Sequence, residues 1–315
     1  MQKRASPVSD APRAWARALP VSFVLIWSTG FIVARYGMPH APPLTFLSMR
    51  YALSLLCFGI WVALSRPAWP RDARQWVHLM VCGVFMHAGY LGGVWAAVKA
   101  GIGAGTVALL VSLQPVLTAL WLASRTTDET TADAGVSRQQ WLGLFVGLAG
   151  LTLVVWRKLG TGEITAWNLG LAIFALLSIT IGTLYQKRYV APCDVRTAST
   201  VQLLAALLVT WPLTWFESGV LAWHPQLIGA LAWSVLMLTL GGSSLLYVLL
   251  QRGAATRVTS LFYLVPACTA LLAWVLFGEA LTPSMLVGMA LTVAGVALVL
   301  HNGPLQRAKR VAAGE

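Results

Sequence analysis

The pattern L-x-P-x-x-T-A-L occurs twice in this chain, as Leu113-Gln-Pro115-Val-Leu-Thr118-Ala119-Leu120 and as Leu264-Val-Pro266-Ala-Cys-Thr269-Ala270-Leu271. A second pattern follows each copy: Gly143-x5-Ala149-Gly150-x-x-Leu153-Val154, then Gly288-x5-Ala294-Gly295-x-x-Leu298-Val299. The first recurs after 151 residues and the second after 145, so the copies differ in the loop between the patterns. Both patterns lie in apolar stretches long enough to cross a bilayer. The chain is therefore two copies of one membrane unit, an organisation from which secondary transporters are built.

Composition fits that reading. Hydrophobic residues make up 58% and charged residues 10% of the 315 positions, far from what a water-exposed surface needs. Ten segments of about 20 residues can be drawn, roughly 18–36, 44–64, 75–98, 104–123, 139–156, 167–187, 197–216, 228–250, 256–277 and 283–301. The net charge of +12 could invite nucleic acid, but the placement of the charges argues against it. Lys3, Arg4, Arg13, Arg17, Arg66, Arg71, Arg74, Arg125, Arg138, Lys187, Arg188, Arg196, Arg252, Arg257, Arg307, Lys309 and Arg310 all fall on one side of the ten spans. The other side holds Arg35, Lys99, Arg157 and Lys158, and Arg50 lies within a span. By the positive-inside rule both termini, 1–17 and 302–315, are expected in the cytoplasm of a cell with this protein in its inner membrane. Segment one is long and lacks a small-residue cleavage site, so it is read as a retained anchor. Cys57, Cys82, Cys193 and Cys268 form no C-x-x-C, which favours packing roles over metal or disulfide chemistry.

Five segments per copy is an odd number, so the halves, 18–157 and 166–301, must be inverted relative to one another. Weaker echoes keep the same register: Gly30 pairs with Gly182 and Gly101 with Gly253, each at a spacing of 152. The expected fold is an all-α polytopic bundle of ten helices, two inverted five-helix repeats around a central cavity. Two such halves can rock about a site at their interface. Gly143-x-x-x-Gly147, with a looser version at Gly288 and Ala294-Gly295, provides small faces for close helix contact, within the chain or with a second copy.

Candidate binding residues are the polar and aromatic side chains inside spans. His87 and Tyr90 share a face of segment three with Val94, and intramembrane ionisable groups commonly line pathways. Pro115 and Pro266 each delete a helix hydrogen bond at equivalent places, marking bends beside the cavity, with Gln114 and Tyr263 placed to use the freed groups. Segment eight adds Ser243, Ser244 and Tyr247; segment one adds Trp27 and Ser28 ahead of a flexible Gly30. Trp27, His87, Tyr90, Gln114, Tyr247 and Tyr263 are thus the expected substrate contacts, and Gly30, Pro115 and Pro266 the expected hinges. Trp95, Trp121 and Trp274 are the next candidates, as cavity walls or lipid-facing bulk. Arg50 is assigned a structural role, snorkelling, bonding a helix carbonyl or meeting Glu279. No phosphate loop, metal motif, nucleophile elbow or carboxylate cluster is visible, so neither cofactor nor metal is expected. No Asp or Glu lies inside a span, leaving His87 as the group able to change charge near neutral pH. Flux down the solute's own gradient is favoured over proton coupling.

These residues resemble the drug/metabolite transporter superfamily, specifically its EamA-type ten-helix exporters. The resemblance runs from Trp27-Ser-Thr-Gly30-Phe and Pro43-x6-Arg50 through both repeated motifs to Phe277-Gly278-Glu279-x-Leu281-Thr282. The first half departs from the pattern, with Ser124-Arg125 where a Gly-Glu would mirror the second. The resemblance implies a basket of two halves exporting amino acids, other metabolites or drugs, and its aromatic set is similar to the aromatic amino acid and paraquat exporting, YddG-like branch. The expected solute is small, neutral or zwitterionic and largely apolar. A cationic-drug exporter is the runner-up; an intramembrane enzyme or an assembly subunit is the alternative from another class. The expected partners are the solute and the bilayer and not nucleic acid, with a homodimer as the alternative use of the small glycine faces.

Overall fold

In the computed structural model, residues 11–125, 138–159, 162–242, 245 and 264–301 are described, and they form ten helical segments. They are α1 (Ala11–Gly37), α2 (Pro43–Ser65), α3 (Ala73–Lys99), α4 (Ala104–Val111 and Gln114–Arg125) and α5 (Arg138–Leu159). The second half repeats them as α6 (Ala166–Tyr189), α7 (Val195–Leu213), α8 (Pro225–Gly241), α9 (Leu264–Phe277) and α10 (Pro283–His301). Five helical stretches among the described residues are long and apolar enough to cross a membrane, and the remaining five segments contain shorter apolar helices.

The packing repeats with the sequence. Three contacts join equivalent helices, α2 with α7, α4 with α9 and α5 with α10. Three further kinds of contact between the halves come in exchanged pairs: α1–α9 mirrors α6–α4, α1–α8 mirrors α6–α3, and α2–α8 mirrors α7–α3. Exchanging each helix for its copy leaves this list unchanged, the signature of two inverted repeats about a pseudo-two-fold axis.

Helix ends explain how so few charges suffice. The far end of the bundle, away from both termini, carries carboxylates that cap helices distant in sequence. Proline at the start of α2 cannot donate, and the next two amides, of Leu44 and Thr45, donate to Glu217 at 2.7 and 2.8 Å. The amides of Gly103 and Ala104 at the start of α4 donate to Glu163 and Glu279 at 3.0 and 3.1 Å. Anions at helix N-termini satisfy orphan donors and the helix dipole together. Gly278, at φ +67°, supplies the left-handed turn that ends α9 and redirects the chain to Glu279. Elsewhere caps are local: Thr165 and Asn168 form a capping box on α6, and Thr282 accepts from Met285 at 3.3 Å on α10. Asp194 opens α7 and pairs with Arg196 at 2.6 Å, and that hydrogen bond holds the Asp194 carboxyl below its usual range.

Helix α5 crosses α10 through their repeated glycines. A Cβ on Gly150 would lie 2.5 Å from the Gly288 carbonyl oxygen, and one on Gly295 would collide with the Gly143 carbonyl. The small faces that the sequence offers to either use are thus buried against each other within one chain. Most tryptophans near segment ends are exposed, including Trp156, Trp167 and Trp215, as rings at a headgroup boundary should be.

Candidate functional site

The two repeats share a feature that their sequences conceal. Helix α3 widens into a π-helical turn at Val84–Gly89, and α8 does so at the equivalent Ser234–Gly241. A π-turn inserts one residue and shifts every later side chain around the helix, and such turns concentrate at functional sites. The glycines paired by the 152-residue register sit against them. A Cβ on Gly182 would lie 2.7 Å from Met86 in the first π-turn, and one on Gly30 would lie 3.8 Å from Leu238 in the second.

Helix α2 ties both turns together. Its buried face carries Phe46, Leu47, Arg50, Tyr51, Ser54 and Phe58, while Leu53, Leu56 and Ile60 point outward, so Arg50 and Tyr51 face the protein interior. The Tyr51 hydroxyl donates to the carbonyl of His87 in the first π-turn at 2.9 Å. The Arg50 guanidinium donates to the Thr239 hydroxyl in the second, from Nε at 3.2 Å and Nη2 at 3.1 Å. Thr239 in turn donates to the Ser234 carbonyl five residues back, at 2.8 Å, matching the π spacing. On α7, the Gln202 backbone packs against Gly83, the residue that opens the first π-turn. Arg50 and Gln202 are themselves 152 residues apart, so each repeat places one polar residue against the other repeat's widened turn. Arg50 also lies close enough to Tyr51, Tyr90 and His87 for its charge to act on all three.

Several expected residues gather here. His87 lies in the first π-turn, Tyr90 directly after it and 8% exposed. Trp27 approaches within 3.9 Å of where a Gly242 side chain would begin, just past the second π-turn. Gln114 donates to Thr183 on α6 at 3.2 Å, beside the Gly182 contact. Tyr247 and Tyr263, with Ser243 and Ser244, lie outside the described residues. Pro115 starts the second part of α4 after a turn at residues 112–113, and Pro266 lies near the start of described α9; α1 runs unbroken through Gly30. Trp95 is buried and stacks on Phe46 at 4.3 Å, whereas Trp121 and Trp274 are about half exposed, at 48% and 50%.

Arg50 corrects one expectation. It neither snorkels nor meets Glu279: Glu279 caps α4, and the Arg50 bonds go to Thr239. The sequence also passed over Tyr51, Gln202 and Thr239. The 152-residue register that paired the glycines could have paired Arg50 with Gln202; nothing in composition distinguishes Tyr51 or Thr239 from packing residues. Two clefts of about 370 and 460 Å³ open at the far end, beside Arg35 and Lys99 and beside Glu217 and Trp167 respectively. Neither is lined by Trp27, His87, Tyr90 or Gln114. Among the described residues no cluster of three His, Cys, Asp or Glu could hold a metal ion, and all four cysteines are free.

Residues 15–156 and 166–301 each match the model of the EamA-like transporter family. The chain is 23% identical to a probable amino-acid metabolite efflux pump of Salmonella typhimurium, across 93% of this chain and 97% of that one. It is 26% identical to the uncharacterized inner membrane transporter YedA of Escherichia coli K12, across 92% of both. A protein of known crystal structure shares the fold with a TM-score of 0.63 at 18% identity, covering 94% of this chain and 99% of its own.

Proposed function

The chain belongs to the EamA-like transporter family, and on that premise we propose that it exports amino acids or related small metabolites across the inner membrane by alternating access. It is a multi-pass membrane transporter and not an enzyme, as the family and the named relatives are. The observation that carries the finer reading is the polar layer between the halves. Arg50, Tyr51, His87, Tyr90, Gln202 and Thr239 lie along α2 and the two π-turns that it bridges. Polar groups at that depth stay stable only when they satisfy one another or a visiting solute, and a site shared by two inverted halves can open to either side as they rock. The Salmonella relative, named for amino-acid metabolites, supports the solute class. Positive charge and mixed aromatic and hydroxyl groups suit a zwitterion better than a cationic drug.

The test is flux in liposomes holding the purified protein, against a panel of labelled amino acids and a paraquat-like cation. Saturable counterflow of one or more amino acids is expected. Flux confined to the cation would replace this reading with a drug exporter.

A further inference from the structure

We propose that Arg50 is the receptor for a carboxylate on the transported solute, an inference that rests on the amino-acid reading and narrows it to molecules carrying that group. Arg50 is 7% exposed and lies on the protein-facing side of α2, about 10 Å in from the helix start. Its hydrogen bonds go to one neutral hydroxyl, that of Thr239. Among the described residues no carboxylate pairs with it. The chain has ten acidic residues, and none lies in a membrane-spanning segment. Five are engaged elsewhere: Asp72 and Asp194 cap α3 and α7, and Glu163, Glu217 and Glu279 cap helices at the far end. The other five, Asp10, Asp128, Glu129, Asp133 and Glu315, belong to the terminal tails and the loop between α4 and α5.

A guanidinium without a counter-ion at this depth is costly, and a glutamine like Gln202 would serve equally to bond a hydroxyl. What arginine adds is a permanent positive charge and a planar fork of donors that fits a carboxylate. Tyr90 and His87, next to that charge, supply further donors and an aromatic wall for the rest of the solute. A carboxylate is the common group of all amino acids, so one arginine serves a panel that differs in side chain.

The experiment compares three forms of one apolar amino acid in liposomes: the amino acid, its amide without the carboxylate, and its N-acetyl derivative without the amine. Wild type is expected to move the amino acid roughly tenfold or more faster than the amide, the scale of a lost charge-assisted contact. Arg50→Gln should remove that preference, lowering flux of the amino acid and leaving that of the amide, and Arg50→Lys should keep part of it. Equal rates for acid and amide in wild type would overturn the inference and leave amino-acid export standing. An equal fall for both solutes in Arg50→Gln would also overturn it, making Arg50 a brace for the second π-turn. Transport of the N-acetyl acid without the amino acid would preserve the carboxylate receptor and reject amino-acid export. A wild-type protein whose flux and melting temperature respond to no carboxylate would reject both. Should Arg50→Gln fail to fold, the wild-type preference between acid and amide decides alone.

Discussion

Thr239 carries two bonds that its neighbours cannot replace. It accepts from the Arg50 guanidinium and donates to the carbonyl of Ser234, so one hydroxyl holds both a buried charge and the π spacing of α8. Thr239→Val keeps the shape and removes the oxygen, leaving a buried cation with one acceptor fewer. A hydrogen bond to a charged group contributes about 1.5–3 kcal/mol, so transport should fall roughly tenfold or more. Thr239→Ser keeps the oxygen and should recover most of the rate. Initial flux in liposomes at equal protein density checks this; a valine variant as fast as wild type would show that the bond is idle. Arg50 was visible in the sequence as an intramembrane charge, but its partner was not. The choice among Glu279, a carbonyl and Thr239 depends on where α8 stands relative to α2, and no local pattern encodes that.

Among the elements, the α5–α10 crossing was the most legible. Its glycines recur at fixed spacing in both copies, and the structure spends them on each other. Adding one methyl tests the contact. Gly150→Ala would place Cβ 2.5 Å from a backbone oxygen of α10, whereas a Cβ on Gly170 of α6 meets nothing within 4 Å. Overpacking costs about 1–3 kcal/mol, so Gly150→Ala should lower the melting temperature in detergent. Gly170→Ala should hold or raise it, since alanine favours helix by about 0.5–1 kcal/mol. Equal melting of the two variants would mean the helices separate without cost. The π-turns were illegible by comparison. Val84–Gly89 and Ser234–Gly241 share no residue type that demands a widened turn; the side chains that bond to them lie on another helix, in Tyr51 and Arg50.

For the whole molecule, the inverted arrangement makes a prediction about sidedness. If the basic loops face the cytoplasm, a cysteine replacing Gly162, in the turn joining the repeats, should react with an impermeant thiol reagent from outside intact cells. One replacing Glu315 should react only after the membrane is opened. The comparison is made in a background lacking the four native cysteines. Labelling of both positions from one side would contradict two five-helix halves of opposite orientation.

The duplication, the ten apolar segments and the charge bias follow from sequence alone, because each is a one-dimensional property: a spacing, a length or a sum, set by bilayer thickness and the cost of moving charge across it. The Phe277-Gly278-Glu279 signature was equally visible, though its use was not; the left-handed glycine and the capping of α4 appear only once α9 and α4 are neighbours. Tertiary structure alone decided that the small faces close on each other, that Trp121 and Trp274 are half exposed while Trp95 is buried, and that α2 bridges two π-turns. Those outcomes rest on which helices pack together, and in a chain this apolar many faces could serve as an interface by composition. Shape and the few hydrogen bonds between helices made the selection.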